Sequence, residues 1–146
     1  MRAVLLAAGL AWGQASWASG SSGEWLTVTG DESRAQQDTV QVDPVAVAIE
    51  PRSRTMSIRV NRAELRRTAE GLAYRSFSAR VRVRCDAREG EYLDARVYEQ
   101  PLWAGPYRDV QYSDGKRPPL RLLDIEPNPL ERIVRAACPS PQQQLR

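Results

Sequence analysis

Two carboxylates, Asp124 and Glu126, lie in the locally apolar stretch LLDIEP and could in principle do acid–base chemistry. Alternate residues of a strand share one face, so both groups could point the same way, as hydrolysis by a carboxylate pair requires. A solvated strand edge explains the same pattern more simply. We therefore treat a carboxylate-dependent hydrolase as the least favoured of three hypotheses.

No histidine occurs in the 146 residues of the chain. This removes the commonest general base, and with it the Ser-His-Asp, Cys-His and histidine-ligated metal mechanisms. The two cysteines, Cys85 and Cys138, make a poor zinc set without histidine, and their spacing is not CxxC. We expect no enzymatic activity, no metal and no cofactor.

Aromatic residues and an arginine are concentrated in the loop-rich stretch PLWAGPYRDVQY, which contains Trp103, Tyr107 and Arg108. These residue types are enriched at the hot spots of protein interfaces. A packing role, in which Trp103 covers one end of a sheet, is the alternative. We predict that these three residues bind a partner, together with Arg82.

The N-terminus has the order of a secretory signal peptide, with one basic residue, an apolar run over Ala3–Trp12 and then small and polar residues. The run is too short to cross a bilayer of roughly 30 Å as a helix, and no other stretch is long and apolar enough. We predict a signal peptide over residues 1–18, cleaved after Ala18 or alternatively after Ala15. A linker over residues 19–23 follows.

Export determines how the cysteines are interpreted, because disulfides persist in an oxidising compartment. A bond between Cys85 and Cys138 is favoured over two free thiols or a metal site. We expect the protein in the periplasm, with the cell surface or secretion as alternatives. Loss of Arg2 with the signal lowers the formal charge from +3 to +2, too weak a footprint for nucleic acid. The expected partner is a protein of the envelope or host matrix.

Alternating apolar and polar residues predict a strand-rich domain over residues 24–138. In the clearest strand, FSARVRVRC at residues 77–85, the odd positions face the core and three arginines face solvent. RAELRRTAEGLAYRS is interpreted as a loop or a single helical turn. Further strands are predicted in EWLTVTG, DTVQVD, VAVAIE, TMSIRVN, YLDARVYE, RDVQY and PLRLLDI.

The clearest strand is expected to form a hairpin with YLDARVYE through the loop Arg88–Gly90, with the glycine in the left-handed conformation. This register places Arg84 opposite Asp94, whereas Arg82 meets Arg96. Like charges opposite one another are unfavourable. We therefore predict that Arg82 has an acidic neighbour or an acidic partner.

The last predicted element is a helix in NPLERIVRAAC, where Asn128 is the expected N-cap and the proline after it the first helical residue. Apolar residues recur at helical spacing behind them. Because Cys138 ends the helix, a bond to Cys85 would tie the helix to the central strand. Residues 139–146 are expected to form a disordered tail.

The order of these features resembles the surface-adhesin protein E-like family of small exported bacterial proteins. The likeness spans roughly residues 24 to 138. It rests on Trp25, Asp43, Tyr74, Ser76, Cys85, Tyr98, Gly105 and PLERIVRAAC. The resemblance implies an α+β fold, with a single antiparallel β-sheet of about six strands packed against a C-terminal helix and tied to it by the disulfide. The family is named for a member that binds host matrix and serum proteins.

We therefore hypothesise an exported, non-enzymatic binding or envelope-interaction protein that resembles the surface-adhesin E-like proteins. The alternative is a proteinaceous inhibitor of an envelope hydrolase that acts on the cell wall. Disulfide-linked sheet proteins of this size serve that role.

Overall fold

A computed structural model describes residues 23–140 of the chain. The predicted signal peptide, residues 19–22 of the predicted linker and residues 141–146 of the predicted tail lie outside the described residues. The strands are β1 (Leu26–Thr29), β2 (Thr39–Val42), β3 (Ala48–Ile49), β4 (Ser53–Arg67), β5 (Ala73–Arg84), β6 (Glu89–Tyr98) and β7 (Tyr107–Gln111), and the helix is α1 (Leu130–Ala137).

The strands form one open antiparallel sheet. Strands β1, β2, β4, β5, β6 and β7 lie side by side in that order, and the short β3 pairs with β4. The helix packs on one face of this sheet, which we call the helix face; the opposite side is the outer face. The predicted α+β fold is confirmed, with seven strands in place of about six.

The hydrophobic core lies between the helix face and α1. Every second residue of the central strands is buried there, as period-two alternation requires. Ile133 and Val134 of α1 close the core, together with Leu120 and Ile125 of the connection after β7. Burial of one such side chain contributes about 1.5–3 kcal/mol before the entropic cost of folding. The buried strand residues include Val40, Val42, Ile58, Val60, Phe77, Ala79, Val81 and Val83.

The predicted disulfide is confirmed. Cys85 directly follows β5 and Cys138 directly follows α1, and their Cα atoms are 5.6 Å apart. No free cysteine occurs among residues 23–140. The bond therefore joins the end of a central strand to the end of the helix.

The start of α1 agrees with the predicted cap, although the helix begins at Leu130, one residue later than expected. The Oδ1 atom of Asn128 accepts a hydrogen bond from the backbone N–H of Leu130 at 2.9 Å. Within the described range, no helix is long and apolar enough to cross a membrane.

The prediction of a loop or helical turn in RAELRRTAEGLAYRS was wrong. Strand β4 continues to Arg67, and a turn closed by the 2.9 Å bond from Thr68 N to Leu72 O leads into β5. A bulge interrupts the pairing of β4 and β5 between Asn61 and Arg66. Because a bulge adds an unpaired residue, it breaks the period-two pattern that identifies a strand.

The predicted loop of the next hairpin was also wrong. The turn between β5 and β6 is formed by residues 85–88, and Arg88, not Gly90, adopts a left-handed conformation with φ of 53°. Gly90 lies within β6, where an added Cβ would come within 3.0 Å of the Leu120 side chain. This glycine allows the connection after β7 to pack closely on the sheet.

No strand forms in PLRLLDI, contrary to prediction. The segment belongs to the connection between β7 and α1 and makes an isolated bridge between Pro119 and Glu91. Its apolar residues Leu120 and Ile125 are buried as anchors of this connection. Asp124 and Glu126 therefore do not share a strand face.

Candidate functional site

The structure separates the four predicted partner-binding residues into three places. Trp103 and Tyr107 lie at one end of the outer face. Arg108 pairs with Val97, a helix-face residue, so its side chain projects to the other side of the sheet from Tyr107. Arg82 is on the outer face but roughly 13 Å further along β5, since four residues of a strand span that distance.

A cluster of aromatic rings and arginines occupies the end of the outer face that holds Trp103. We call it the aromatic end and define it by six residues. They are Trp25, Arg59, Arg96, Tyr98, Trp103 and Tyr107. Trp25 precedes β1 and Trp103 follows β6, so residues distant in sequence meet at Arg59 of β4.

Arg59 is the centre of the first half of this cluster. Its Cζ atom lies 4.1 Å from the centroid of the Trp103 ring and 4.5 Å from that of the Trp25 ring. Its Nε donates a hydrogen bond to Oε1 of the buried Gln41 at 2.5 Å. Burial lowers the pKa of Arg59 and the charge of Glu32 opposes this effect. An arginine stays charged at neutral pH, so each ring contact is a cation–π interaction of about 0.5–2 kcal/mol.

Tyr107 is the centre of the second half. Its ring lies 3.9 Å from the Cζ atom of Arg96 and 5.8 Å from the centroid of the Tyr98 ring. The Nε atom of Arg96 also donates a hydrogen bond to Asp109 at 2.9 Å, which raises the pKa of Arg96. Tyr107 remains 52% exposed, so it presents an aromatic surface to solvent.

The turn Pro101–Trp103 holds the Trp103 ring in place. Leu102 and Trp103 both adopt left-handed conformations, with φ of 54° and 58°. Such conformations cost about 1–3 kcal/mol each in residues other than glycine. Two buried side chains stabilise the turn, because Asn61 Oδ1 accepts from Leu102 N at 2.7 Å and Ser76 Oγ accepts from Trp103 N at 2.9 Å.

The Trp103 ring is itself fixed against the sheet. Its Nε1 donates to the backbone oxygen of Phe77 at 3.1 Å. The residue is half-buried, so one part of its surface packs on the sheet while another part faces solvent. This position serves both interpretations of Trp103 made from the sequence, as cover for the sheet end and as a residue able to contact a partner.

The outward arginines of β5 form cross-strand ion pairs. The predicted encounter of Arg82 with Arg96 was wrong, because the turn between β5 and β6 begins at Cys85, earlier than the expected loop, and this shifts the register. Arg82 instead lies 3.6 Å from Glu91. The acidic neighbour thus comes from within the chain, and the reason for expecting an acidic partner at Arg82 is removed. The three pairs are Arg80–Asp94, Arg82–Glu91 and Arg84–Glu89.

Asp124 forms an ion pair with Arg62 on the helix side of the sheet. Arg62 donates to both of its carboxylate oxygens, with the Nη2–Oδ2 distance at 2.6 Å, and Arg66 lies 3.4 Å away. The hydrogen bond from Arg62 lowers the pKa of Asp124. The Arg62 side chain is only 4% exposed and also contacts Asp38 at 3.1 Å. Asp124 therefore anchors the connection before α1 to β4.

Metal binding finds no support in residues 23–140, where no group of three or more suitable side chains could hold an ion. The contributions of Trp25, Arg59, Arg96 and Tyr98 to this site were not predicted from the sequence. Alternation identifies Arg59 and Arg96 as outward-facing residues. Which aromatic ring each one meets depends on the register across three strands and on the left-handed turn at Trp103.

The comparisons with known proteins agree with the resemblance seen in the sequence. The model of a family described as surface-adhesin protein E matches residues 25–139. The match supports a surface-adhesin-like role and implies an exported or surface protein. Comparison with curated proteins and with solved structures returned no match.

Proposed function

Because the chain belongs to the surface-adhesin protein E family, we propose that it is an exported, non-enzymatic binding protein that attaches to a protein partner through the aromatic end. The partner is a protein of the bacterial envelope or of the host matrix. We place the protein in the periplasm or at the cell surface, since the family is one of surface adhesins and the N-terminus reads as a signal peptide.

The observation that carries this proposal is the left-handed turn at Trp103. Two consecutive residues are held in an unfavourable backbone conformation by the buried side chains of Asn61 and Ser76. The result is a half-exposed indole beside a half-exposed tyrosine and two arginines. Backbone strain of this kind is concentrated at functional sites, and these residue types dominate the energetics of protein interfaces.

The absence of histidine and the commitment of Asp124 to Arg62 support a non-enzymatic role. No observation favours the alternative of a hydrolase inhibitor. Of the four predicted residues, Trp103 and Tyr107 form part of the proposed site. Arg108 projects from the opposite face of the sheet, and Arg82 belongs to the cross-strand ion pairs of β5 and β6.

Photo-crosslinking from the aromatic end tests the proposal. In one variant of the mature protein, benzoylphenylalanine replaces Tyr107. In a second variant it replaces Leu123, which is 72% exposed in the connection before α1. Each is irradiated with intact envelopes and, separately, with purified matrix proteins. We expect position 107 to capture a protein that position 123 does not.

Affinity for the captured protein is then measured with Tyr107→Ala and with Leu123→Ala as the matched control. A hot-spot residue contributes about 2 kcal/mol or more, so Tyr107→Ala should weaken binding about 30-fold while the control binds like the wild type. The proposal fails if position 107 captures nothing in either preparation, or if Tyr107→Ala leaves the affinity unchanged.

A further inference from the structure

The two edges of the sheet differ in how they are protected. At the β1 edge, a bulge between Thr27 and Thr29 interrupts the register. Arg132 of α1 donates to the backbone oxygen of Val28 at 2.7 Å, and the Thr29 hydroxyl donates to Pro127 O at 3.1 Å. Bulges and engaged backbone groups of this kind prevent another strand from pairing with an edge.

The β7 edge has no comparable cover within the described part of the chain. All five residues of β7 pair with β6 without a bulge, and four of the five are exposed. Tyr112 N donates a hydrogen bond to Leu93 O at 3.1 Å. Since hydrogen-bonded and non-hydrogen-bonded residue pairs alternate along an antiparallel ladder, Val110 and Arg108 also direct their backbone groups toward β6. The backbone groups of Tyr107, Asp109 and Gln111 consequently point away from β6, toward solvent.

We propose that an extended segment of the protein partner pairs with β7 and adds a strand to the sheet. This inference rests on the proposed function, because it specifies how a partner would dock beside the aromatic end. Three outward residues offer up to six backbone hydrogen bonds. An added strand would also place its side chains next to Tyr107, which continues the row of outer-face side chains across the sheet.

Charge indicates the composition of the added segment. Asp109 is bonded to Arg96, whereas the exposed Arg108 has no carboxylate partner in the described residues. The edge therefore presents one positive charge, and an acidic residue of the segment would lie opposite it. A second copy of the chain fits less well, since symmetric pairing about Asp109, the middle of β7, would bring two carboxylates face to face.

Hydrogen exchange with model peptides tests this inference. The probes are a nine-residue peptide of alternating threonine and valine with a central glutamate, and the same peptide with lysine at the centre. We expect the glutamate peptide to slow exchange of the amides of Tyr107, Asp109 and Gln111. It should bind about fivefold more tightly than the lysine peptide, since a cross-strand pair is worth up to about 1 kcal/mol. Arg108→Glu should reverse the preference.

Gln111→Pro removes one outward N–H without removing a bond to β6, and proline is tolerated on edge strands. It should weaken binding of the glutamate peptide about fivefold to tenfold, the value of one hydrogen bond. Gln111→Ala is the matched control and should bind like the wild type, and thermal unfolding checks that both variants fold.

Three results would overturn the inference. They are unchanged exchange at the outward amides of β7, equal binding by the two Gln111 variants, and protection confined to another edge. The peptides require no natural partner, so the outcome is separate from that of the crosslinking experiment. If the peptides add a strand but position 107 crosslinks to no protein, the proposed function alone is refuted. If position 107 crosslinks to a protein but the peptides do not pair with β7, strand addition alone is refuted.

Discussion

Removal of the disulfide should lower the free energy of unfolding by about 4 kcal/mol. The bond joins residues separated by 53 positions. In the chain-entropy model, cross-linking a loop of that length removes unfolded-state entropy worth about 4 kcal/mol at 25 °C. Small domains have a total stability of roughly 5–15 kcal/mol. The loss is therefore a large share of what holds this domain folded.

The double variant Cys85→Ala/Cys138→Ala should nevertheless keep the native fold. The eight residues of α1 are too few for a stable isolated helix, so its packing must hold it. Ile133 and Val134 are fully buried against the sheet, and we expect this packing to hold the helix in place without the bond. We expect a circular dichroism spectrum close to that of the wild type and a lower midpoint of unfolding.

Guanidinium unfolding measures the effect in three samples, which are the oxidised wild type, the wild type in dithiothreitol and the double alanine variant. The last two should unfold together, because both lack the cross-link. Thiol titration of the denatured, unreduced protein should find no free thiol. A difference below about 1 kcal/mol between the oxidised and reduced wild type would refute the entropic argument, and a detectable thiol would refute the pairing.

Two further predictions concern an ion pair and a turn. Arg62 lowers the pKa of Asp124 in the folded protein, so the ion pair between them stabilises the fold at any pH above the pKa of Asp124 in the unfolded chain, about 3.9. This stabilisation is lost as the pH falls through the lower pKa of Asp124 in the folded protein. Asp124 is 54% exposed, so Asp124→Asn should cost no more than about 1 kcal/mol at pH 7. Urea midpoints should show this deficit shrinking as the pH falls below the unfolded pKa, and a deficit that does not change with pH would contradict the prediction. Gly30 and Gly71 have nearly the same left-handed backbone, with φ of 85° and 86°, but only at Gly30 would an added Cβ lie 2.1 Å from a backbone oxygen, that of Asp38. Thermal unfolding should therefore show that Gly30→Ala destabilises the protein by at least about 2 kcal/mol more than Gly71→Ala does. Equal losses at the two glycines would show that the left-handed backbone, and not the contact, sets the cost.

Local patterns predicted most of the elements and the composition of the core. Period-two alternation identified the strands and the buried face of residues 77–85, and the capping residue Asn128 located α1 to within one residue. The errors lie where a bulge or a long connection interrupts that periodicity. The bulge after Asn61 concealed the end of β4, and a turn that begins earlier than predicted, at Cys85, changed the partners of Arg82 and Arg84.

The candidate site was predictable only in part. Composition drew attention to Trp103 and Tyr107, and the structure places both at the aromatic end. It does not place Arg108 or Arg82 with them. Neighbours in sequence point to opposite faces of a strand, so residues close along the chain, such as Tyr107 and Arg108, can serve different surfaces.

By itself, the sequence determined the class of fold, the buried face of the central strand and the pairing of the only two cysteines. These properties follow from local periodicity and from covalent chemistry, which neighbouring residues carry. Only the tertiary structure decided that Arg59 meets Trp25 and Trp103, that Arg82 meets Glu91 and that Arg62 holds Asp124. Each of these contacts joins different elements, and strand register, bulges and two left-handed residues determine where those elements meet.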